Sequence, residues 1–205
     1  MRARFLLVSA LALGVSVSSL SVLTPSVARA SVSIAVLFNA LVKDAESVAI
    51  VTPVEQKSVW ENGRICTYTR VRVDSPVSGN AKKGDEKWVR TLGGVIGKIG
   101  QSVEGEPTLT EGKPSLLFLH RRESEIFEVS ARAQGQFPIV ADASKRVKLV
   151  KHAAMGTLVP PRVEGARLPA DAVRLAHEVL NDRDVDAATV EIQRVWQQLH
   201  TTESR

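Results

Sequence analysis

Hydrophobic and polar positions along the chain fall into three textures. Residues 5–17 form an apolar run interrupted only by Ser9, Gly14 and Ser16. From about residue 46 to 150, short stretches rich in β-branched residues alternate with polar positions and turn signals. Beyond Pro160-Pro161, apolar residues recur at helical spacing.

The middle texture predicts strands. Residues 47–52 read as one, and Pro53 confines its continuation to an edge or a bulge because proline cannot donate to a ladder. Residues 54–60 resume extended character. Asn62-Gly63 is the strongest short-range hairpin signal. The clearest strand comes next, at 65–73: Ile65, Thr67, Thr69, Val71 and Val73 share one face, and Cys66, Tyr68, Arg70 and Arg72 share the other. This period of two predicts a core side and an outer side. Further strands are expected at 86–92, at 115–120 as a buried central strand, at 126–133 and 136–140, and at 146–150, with a charged hairpin tip at 121–125. Residues 34–42 are unbroken by Gly or Pro and read as a short helix. In the tail, Pro169 can open a helix over 170–180. A second helix, capped by Asp184 or Asp186, carries a stripe of Val185, Ala188, Ile192, Val195 or Trp196, and Leu199. That stripe is expected to cap the β domain rather than lie on a membrane, because its polar face is not strongly cationic.

The expected fold class is therefore mainly β: a small OB-like antiparallel barrel with a short N-terminal helix and a C-terminal helical hairpin. An immunoglobulin-like sandwich is the alternative, but it lacks the paired cysteines around a central tryptophan. The expected division is a leader over 1–30, a β-barrel domain over 31–150, and a linker with helical tail over 151–205.

The first texture changes the setting of all this. Arg2 and Arg4 precede the apolar run, and Ala28-Arg29-Ala30 lies beyond it. A cationic start, an apolar stretch and small residues at −3 and −1 are what a signal peptidase reads. A transmembrane span needs about 20 predominantly apolar residues, and Ser18, Ser19, Ser21, Thr24 and Pro25 end this run early. The expectation is cleavage after Ala30 and a protein that works in the periplasm or the extracellular medium, with no stable membrane insertion. Cleavage also alters the charge. The chain has 27 Lys and Arg against 22 Asp and Glu. The leader removes Arg2, Arg4 and Arg29 and no acid, leaving 24 against 22, a net charge of +2. That is no footprint for nucleic acid, which calls for a clustered basic stripe. The lone cysteine, Cys66, rules out an internal disulfide framework. A buried small hydrophobe, an intermolecular link and a reactive thiol are its possible roles, and burial is the expectation.

Candidate chemistry is sparse. The glycine-dense segment Gly93-Gly94-Val95-Ile96-Gly97-Lys98-Ile99-Gly100-Gln101 matches neither a P-loop nor a dinucleotide turn in spacing. It reads as a turn or bulge where backbones approach closely, or as a recognition loop beside the barrel mouth. His120, His152, His177 and His200 form no H-E-x-x-H or H-x-H pattern, so no metal is expected. No G-x-S-x-G elbow is present, and Cys66 lies mid-strand, away from any helix N-terminus that would activate it. Trp60, Trp88 and Tyr68 are either packing residues or the lining of a ligand groove.

Between about residues 41 and 140 the chain resembles a group of uncharacterised exported bacterial proteins. The residues that carry the resemblance are Trp60 with Gly63-Arg64-Ile65, Thr67-Tyr68-Thr69, Val71-Arg72-Val73, Thr91-Leu92-Gly93-Gly94, Gly97, Ile99-Gly100-Gln101, Gly105-Glu106-Pro107, Gly112, Leu117-Phe118-Leu119 and Ala133-Gln134-Gly135-Gln136-Phe137. The resemblance implies an OB-type barrel like that of netrin-like and metalloproteinase-inhibitor domains. Those inhibitors act through an N-terminal cysteine and several disulfides. Here the processed chain would start at Ser31 and hold only Cys66, so their mechanism does not carry over.

The functional expectation is an exported, non-catalytic binding module without a cofactor. Its partner would be another cell-envelope or secreted protein. The contact residues would be Gly93, Gly94, Gly97, Lys98, Gly100, Gln101, Trp60 and Trp88. The alternatives are an exported hydrolase or thiol enzyme using Cys66, and an accessory factor of a secreted peptidase.

Overall fold

A computed structural model describes residues 32–162 and 173–201. Among these the strands are β1 (Val32–Ile34), β2 (Ser47–Glu61), β3 (Arg64–Gly79), β4 (Glu86–Leu92), β5 (Gly94–Ile96), β6 (Ile99–Gln101), β7 (Ser115–Glu123), β8 (Ile126–Val129), β9 (Gln136–Ala141), β10 (Val147–Leu149) and β11 (Thr157–Val159). The helices are α1 (Phe38–Asp44), α2 (Ala176–Leu180) and α3 (Val185–Thr201). The expected leader and the Ala28-Arg29-Ala30 site lie outside the described residues, as does Pro169.

The fold is mainly β, as the alternation predicts. Seven strands form one sheet in the order β10-β9-β7-β2-β3-β4-β8, and β8 also pairs with β7. The pairings β7–β2–β3–β4–β8 therefore return to β7 as a five-strand ring, antiparallel except for the parallel β4–β8 pair. This is the OB-like arrangement, but not a clean barrel. β8 covers only Leu119–Glu123 of the far edge of β7, while β9 takes Ser115–Leu117 and leads away to β10.

Burial explains the strand textures. Leu117 and Leu119 of β7 join Ala49, Val51, Val71, Val89 and Phe127 inside the ring. Leu116 and Phe118 point the other way and pack with α1, α2 and α3. A strand buried on both faces has no polar alternation, which is why residues 115–119 read as a continuous apolar run. The β2–β3 hairpin turns at Asn62 and Gly63 with φ of 49° and 75°, the left-handed pair that Asn-Gly supplies. Pro53 is tolerated because β2 is flanked on both sides only from Ser47 to Val51; a register shift occurs between Pro53 and Glu55.

Four expectations need correction. The strand expected over 126–133 ends at Val129, because Ala131 and Arg132 turn into the left-handed region and Arg132–Gly135 forms a single 3-10 turn. Residues 34–42 are not one helix. Val32–Ile34 pairs in parallel with Thr157–Val159, a segment over a hundred residues away, and α1 begins only at Phe38. The charged stretch 121–125 is not all hairpin tip, since β7 continues through Glu123, held by its pairing with β8. Of the helix expected over 170–180, the described part, from Val173 on, is α-helical over Ala176–Leu180, because Leu175 is held extended by a bridge to Leu37. By contrast, Asp184 caps α3 as expected: its Oδ1 accepts from the backbone N–H groups of Asp186 (2.9 Å) and Ala187 (3.3 Å). Ala188, Ile192 and Val195 then bury against the sheet alongside Phe38, Leu41 and Val42. No helix among the described residues is long and apolar enough to cross a membrane.

Candidate functional site

The β2–β3 hairpin extends beyond the ring, and its two faces build two different sites. Ser58, Trp60, Ile65 and Thr67 lie on one face, and Glu61, Cys66 and Tyr68 lie on the other, as the pairings Ser58↔Thr67 and Val59↔Cys66 require.

On the first face sits the glycine segment, folded as the β5–β6 hairpin. It is fastened to β3 by short hydrogen bonds: Gly93 N–H donates to the Ile65 carbonyl (2.8 Å), Ile65 N–H to Gln101 Oε1 (2.7 Å), and Thr67 Oγ1 to the Gly93 carbonyl (2.7 Å). Gly94 is required by this contact. Its φ is 136°, and a Cβ there would lie 2.2 Å from Thr67 Oγ1 and 2.6 Å from Ser58 Oγ. The glycines therefore first serve close backbone approach.

A cleft of about 900 Å³ opens between this hairpin, the β2–β3 face and residues 102–111. The far wall is a loop without regular structure, yet it is pinned along its length. Glu106 Oε2 accepts from Leu92 N–H (2.9 Å), and the Gln136 side chain bonds both polar backbone groups of Thr108 (2.9 and 2.8 Å). The Gln56 side chain donates to the Leu109 carbonyl, and Gly112 N–H donates to that of Pro53 (2.9 Å). Leu109, 3% exposed, inserts into the ring interior. The cleft lining that results is mixed: hydroxyls of Thr67, Thr108, Thr110 and Ser102 and backbone at Gly94 and Gly100 lie among the apolar Leu92, Val95 and Val103 and the carboxylates of Glu104, Glu106 and Glu111.

The sequence-derived contact residues divide. Gly93, Gly94, Gly100 and Gln101 line the cleft. Gly97 and Lys98 form the exposed tip of the β5–β6 hairpin. Trp60 is 55% exposed, and Trp88 lies on β4 between Arg70 and Ile126; neither lines the cleft.

The second face carries a charged cage that sequence reasoning missed. Arg90 is almost fully buried. Its guanidinium donates to Glu61 Oε2 (3.1 Å) and Oε1 (2.9 Å), to Glu128 Oε1 (2.8 Å) and to Cys66 Sγ (3.1 Å). Tyr68 Oη donates to Glu61 (2.8 Å), and Arg122 shares Glu128 (2.8 Å). The Arg90 and Tyr68 hydrogen bonds hold the Glu61 carboxyl down at about 2. Burial opposes the Arg90 charge, but Glu61 and Glu128 outweigh it and raise its pKa. Cys66 is 0% exposed. Burial pushes its thiol up, against the pull of Arg90, so the thiolate needed for nucleophilic chemistry is disfavoured. One clue was available: the 86–92 strand places Arg90 on the same face as Trp88 and Leu92, a charge in the middle of a sheet, where a partner is obligatory.

His120 presents the outline of a Ser-His-acid arrangement. Its Nδ1 lies 3.2 Å from Ser130 Oγ and its Nε2 lies 3.8 Å from Glu128 Oε2. Ser130 is 0% exposed, so no substrate carbonyl reaches its hydroxyl. No group of three His, Cys, Asp or Glu among the described residues could hold a metal ion. No protein-family model matches the chain, and no curated protein matches it significantly.

Proposed function

We propose that this protein is an exported, non-catalytic binding module that receives a segment of another envelope or secreted protein in the cleft beside the glycine hairpin. The cleft's pinned construction carries this reading. Its walls are held by hydrogen bonds from β3, β4 and β9, so little ordering cost remains when a partner binds. Its hydroxyls and backbone groups suit the main chain of an extended segment, which recognises by main-chain hydrogen bonds, and Leu92, Val95 and Val103 suit apolar side chains of that segment. The cage on the opposite face is built for stability, with its thiol buried and its charges spent on one another. Export rests on the leader sequence, and the five-strand ring agrees with the barrel that the resemblance implies.

The test is site-specific photo-crosslinking in the producing cells. A photoreactive residue at Ser102 or Thr110, both exposed on the cleft wall, is expected to yield discrete adducts with another protein. The same residue at Asp186 on α3 is expected to yield none, and Ser102→Arg is expected to abolish the Thr110 adduct without changing thermal stability. Equal adducts at all three positions would remove the cleft as the contact surface. Intact mass of the recovered protein tests export directly, with Ser31 expected as the first residue.

A further inference from the structure

Beside the cage lies a second concavity of about 550 Å³, which adjoins the proposed partner cleft. Four arginines converge on it: Arg64, Arg90, Arg122 and Arg132. Arg90 forms the floor, committed to Glu61 and Glu128. Arg122 leans on Glu128 at 2.8 Å. Arg132, 59% exposed in its side chain, touches Glu106 at 3.2 Å. Arg64 has no carboxylate within ion-pair distance among the described residues, although it lines the same space. Four guanidinium groups face four carboxylates, those of Glu61, Glu106, Glu123 and Glu128, with Arg122 Nε 3.7 Å from Glu123, and Arg64 alone among the four arginines stands outside these pairs.

The backbone at the rim is specialised. Ala131 and Arg132 are consecutive non-glycine residues in the left-handed region, with φ of 53° and 54°. Such conformations persist where the surroundings over-determine them, and they cluster at ligand sites. Here the surroundings do so. Ala133 is buried and its N–H donates to the Gly105 carbonyl (2.9 Å). Gly135 approaches so closely that a Cβ would lie 2.0 Å from the Ser130 carbonyl oxygen. The chain is thereby forced through the turn that presents Arg132 at the mouth of the pocket.

We infer that this pocket is a carboxylate-binding site, in which Arg64 and Arg132 take one monoanionic carboxylate above the fixed guanidinium of Arg90. A planar, two-oxygen acceptor matches the guanidinium fork. A single negative charge matches the one guanidinium without a carboxylate partner, Arg64, whereas a dianion would meet Glu106 and Glu128 uncompensated. The carboxylate could belong to a small organic acid or to the C-terminus of a peptide; both share this chemistry. Leu92, Glu106 and Pro107 line this pocket and the cleft alike, so a chain anchored by its terminus has a path outward. The site stands on its own charges and does not require the cleft to be occupied.

The test is a titration of the ¹⁵N-labelled protein with sodium acetate at constant ionic strength, with chloride as the balancing anion. Saturable shifts are expected in the Arg64 and Arg132 Nε–H resonances and the amides of Ala131 and Arg132. The double variant Arg64→Gln, Arg132→Gln is expected to weaken acetate binding at least tenfold with an unchanged unfolding temperature. Tetra-alanine with a free C-terminus, compared with its C-terminal amide, separates the sources. A free acid that binds at least tenfold more tightly than acetate, with a silent amide, supports a peptide terminus; a free acid equal to acetate supports a small acid. Non-saturating shifts spread over all surface arginines, undiminished binding by the double variant, or tighter binding of phosphate than of acetate would each overturn the assignment. Silence in the crosslinking test at the cleft would leave this result standing.

Discussion

The two faces of the β2–β3 hairpin solve opposite problems with neighbouring residues. On one face Cys66 and Arg90 are drawn out of water, and the half-buried Tyr68, Glu61 and Glu128 close over them and satisfy them. On the other, Ser58, Thr67, Gly93 and Gly94 bring two backbones together with no net charge. The difference teaches where tolerance lies. A desolvated ion cluster turns every member into a liability once a partner is lost. A cleft of hydroxyls, apolar side chains and pinned backbone, with Glu104 and Glu111 exposed to water, loses little when one exposed lining side chain changes, provided the glycine at the crossing remains. One face is thus suited to holding the fold and the other to meeting a partner.

Breaking the cage should produce the largest effect. Arg90→Met keeps most of the side-chain volume but leaves Glu61 and Glu128 without their shared partner. Breaking a buried pair from one side costs about 3–5 kcal/mol, and urea unfolding should show a loss in that range. Replacing the carboxylates as well, in Arg90→Met with Glu61→Gln and Glu128→Gln, should recover part of the loss, because unpaired charge causes most of the damage. A triple variant no more stable than the single one would mean that packing, not charge, holds this face.

The corresponding break on the other face is Gly94→Ala. The added methyl enters the space of the Ser58–Thr67 hydroxyl pair at a φ that L residues rarely adopt. Strain of this kind with local overpacking costs about 2–3 kcal/mol. Gly94→Ala combined with Thr67→Ala should regain part of it by removing the nearest clash. A variant as stable as the parent would show that the hairpin is not seated tightly on β3.

The same contrast decides how much was legible in the sequence. Strands announced by period two, such as residues 65–73, and the Asn62-Gly63 turn are written locally, so they appear in the fold. So does the Asp184 cap, which acts within one turn. β1 was not legible: Val32 and Ile34 become a strand only because residues 157–159 arrive beside them. Of the cleft, the glycine half was visible as an unusual composition. The other half, residues 102–111, owes its shape to Gln136 and Leu109 reaching across the fold, which no local pattern encodes. The cage was hidden for a related reason. Glu61, Arg90 and Glu128 come from three strands, and only the ring closure through β8 brings them together. A charge alternating outward on a strand looks like a solvated face until its neighbour is known.

Acid should sharpen the comparison more gently. The folded-state pKa of Glu61, about 2, lies below its ordinary value of 4.5. Its contribution is therefore complete above pH 4.5 and is lost as pH falls from 4.5 towards 2. Glu191, held near 2 by Arg194 and Arg174, acts in the same window, and Asp142, held near 2 by the Ser144 hydroxyl and local backbone N–H groups, acts in the same direction from its ordinary 3.8 downward. Thermal unfolding measured from pH 7 to 2 should fall steeply below 4.5, and Glu61→Gln should make that limb shallower while lowering the plateau at neutral pH. A limb of unchanged slope in Glu61→Gln would assign the acid sensitivity to the other two carboxylates.

The smallest effect tests whether the glycine segment is uniform. Gly97 has a φ of 59°, but a Cβ there would meet nothing within 4 Å, unlike the one at Gly94. Asparagine tolerates the left-handed region better than other side-chain-bearing residues, so Gly97→Asn should cost under about 1 kcal/mol. The substitution leaves the cleft lining untouched, because Gly97 sits at the hairpin tip and not on the wall. Crosslinking from Thr110 should therefore persist in Gly97→Asn at the parent level. If it vanished while the protein stayed folded, the contact surface would have to reach past the cleft to the tip. Trp60, Val95 and Ile99, all exposed, would then be the next positions to carry the crosslinker.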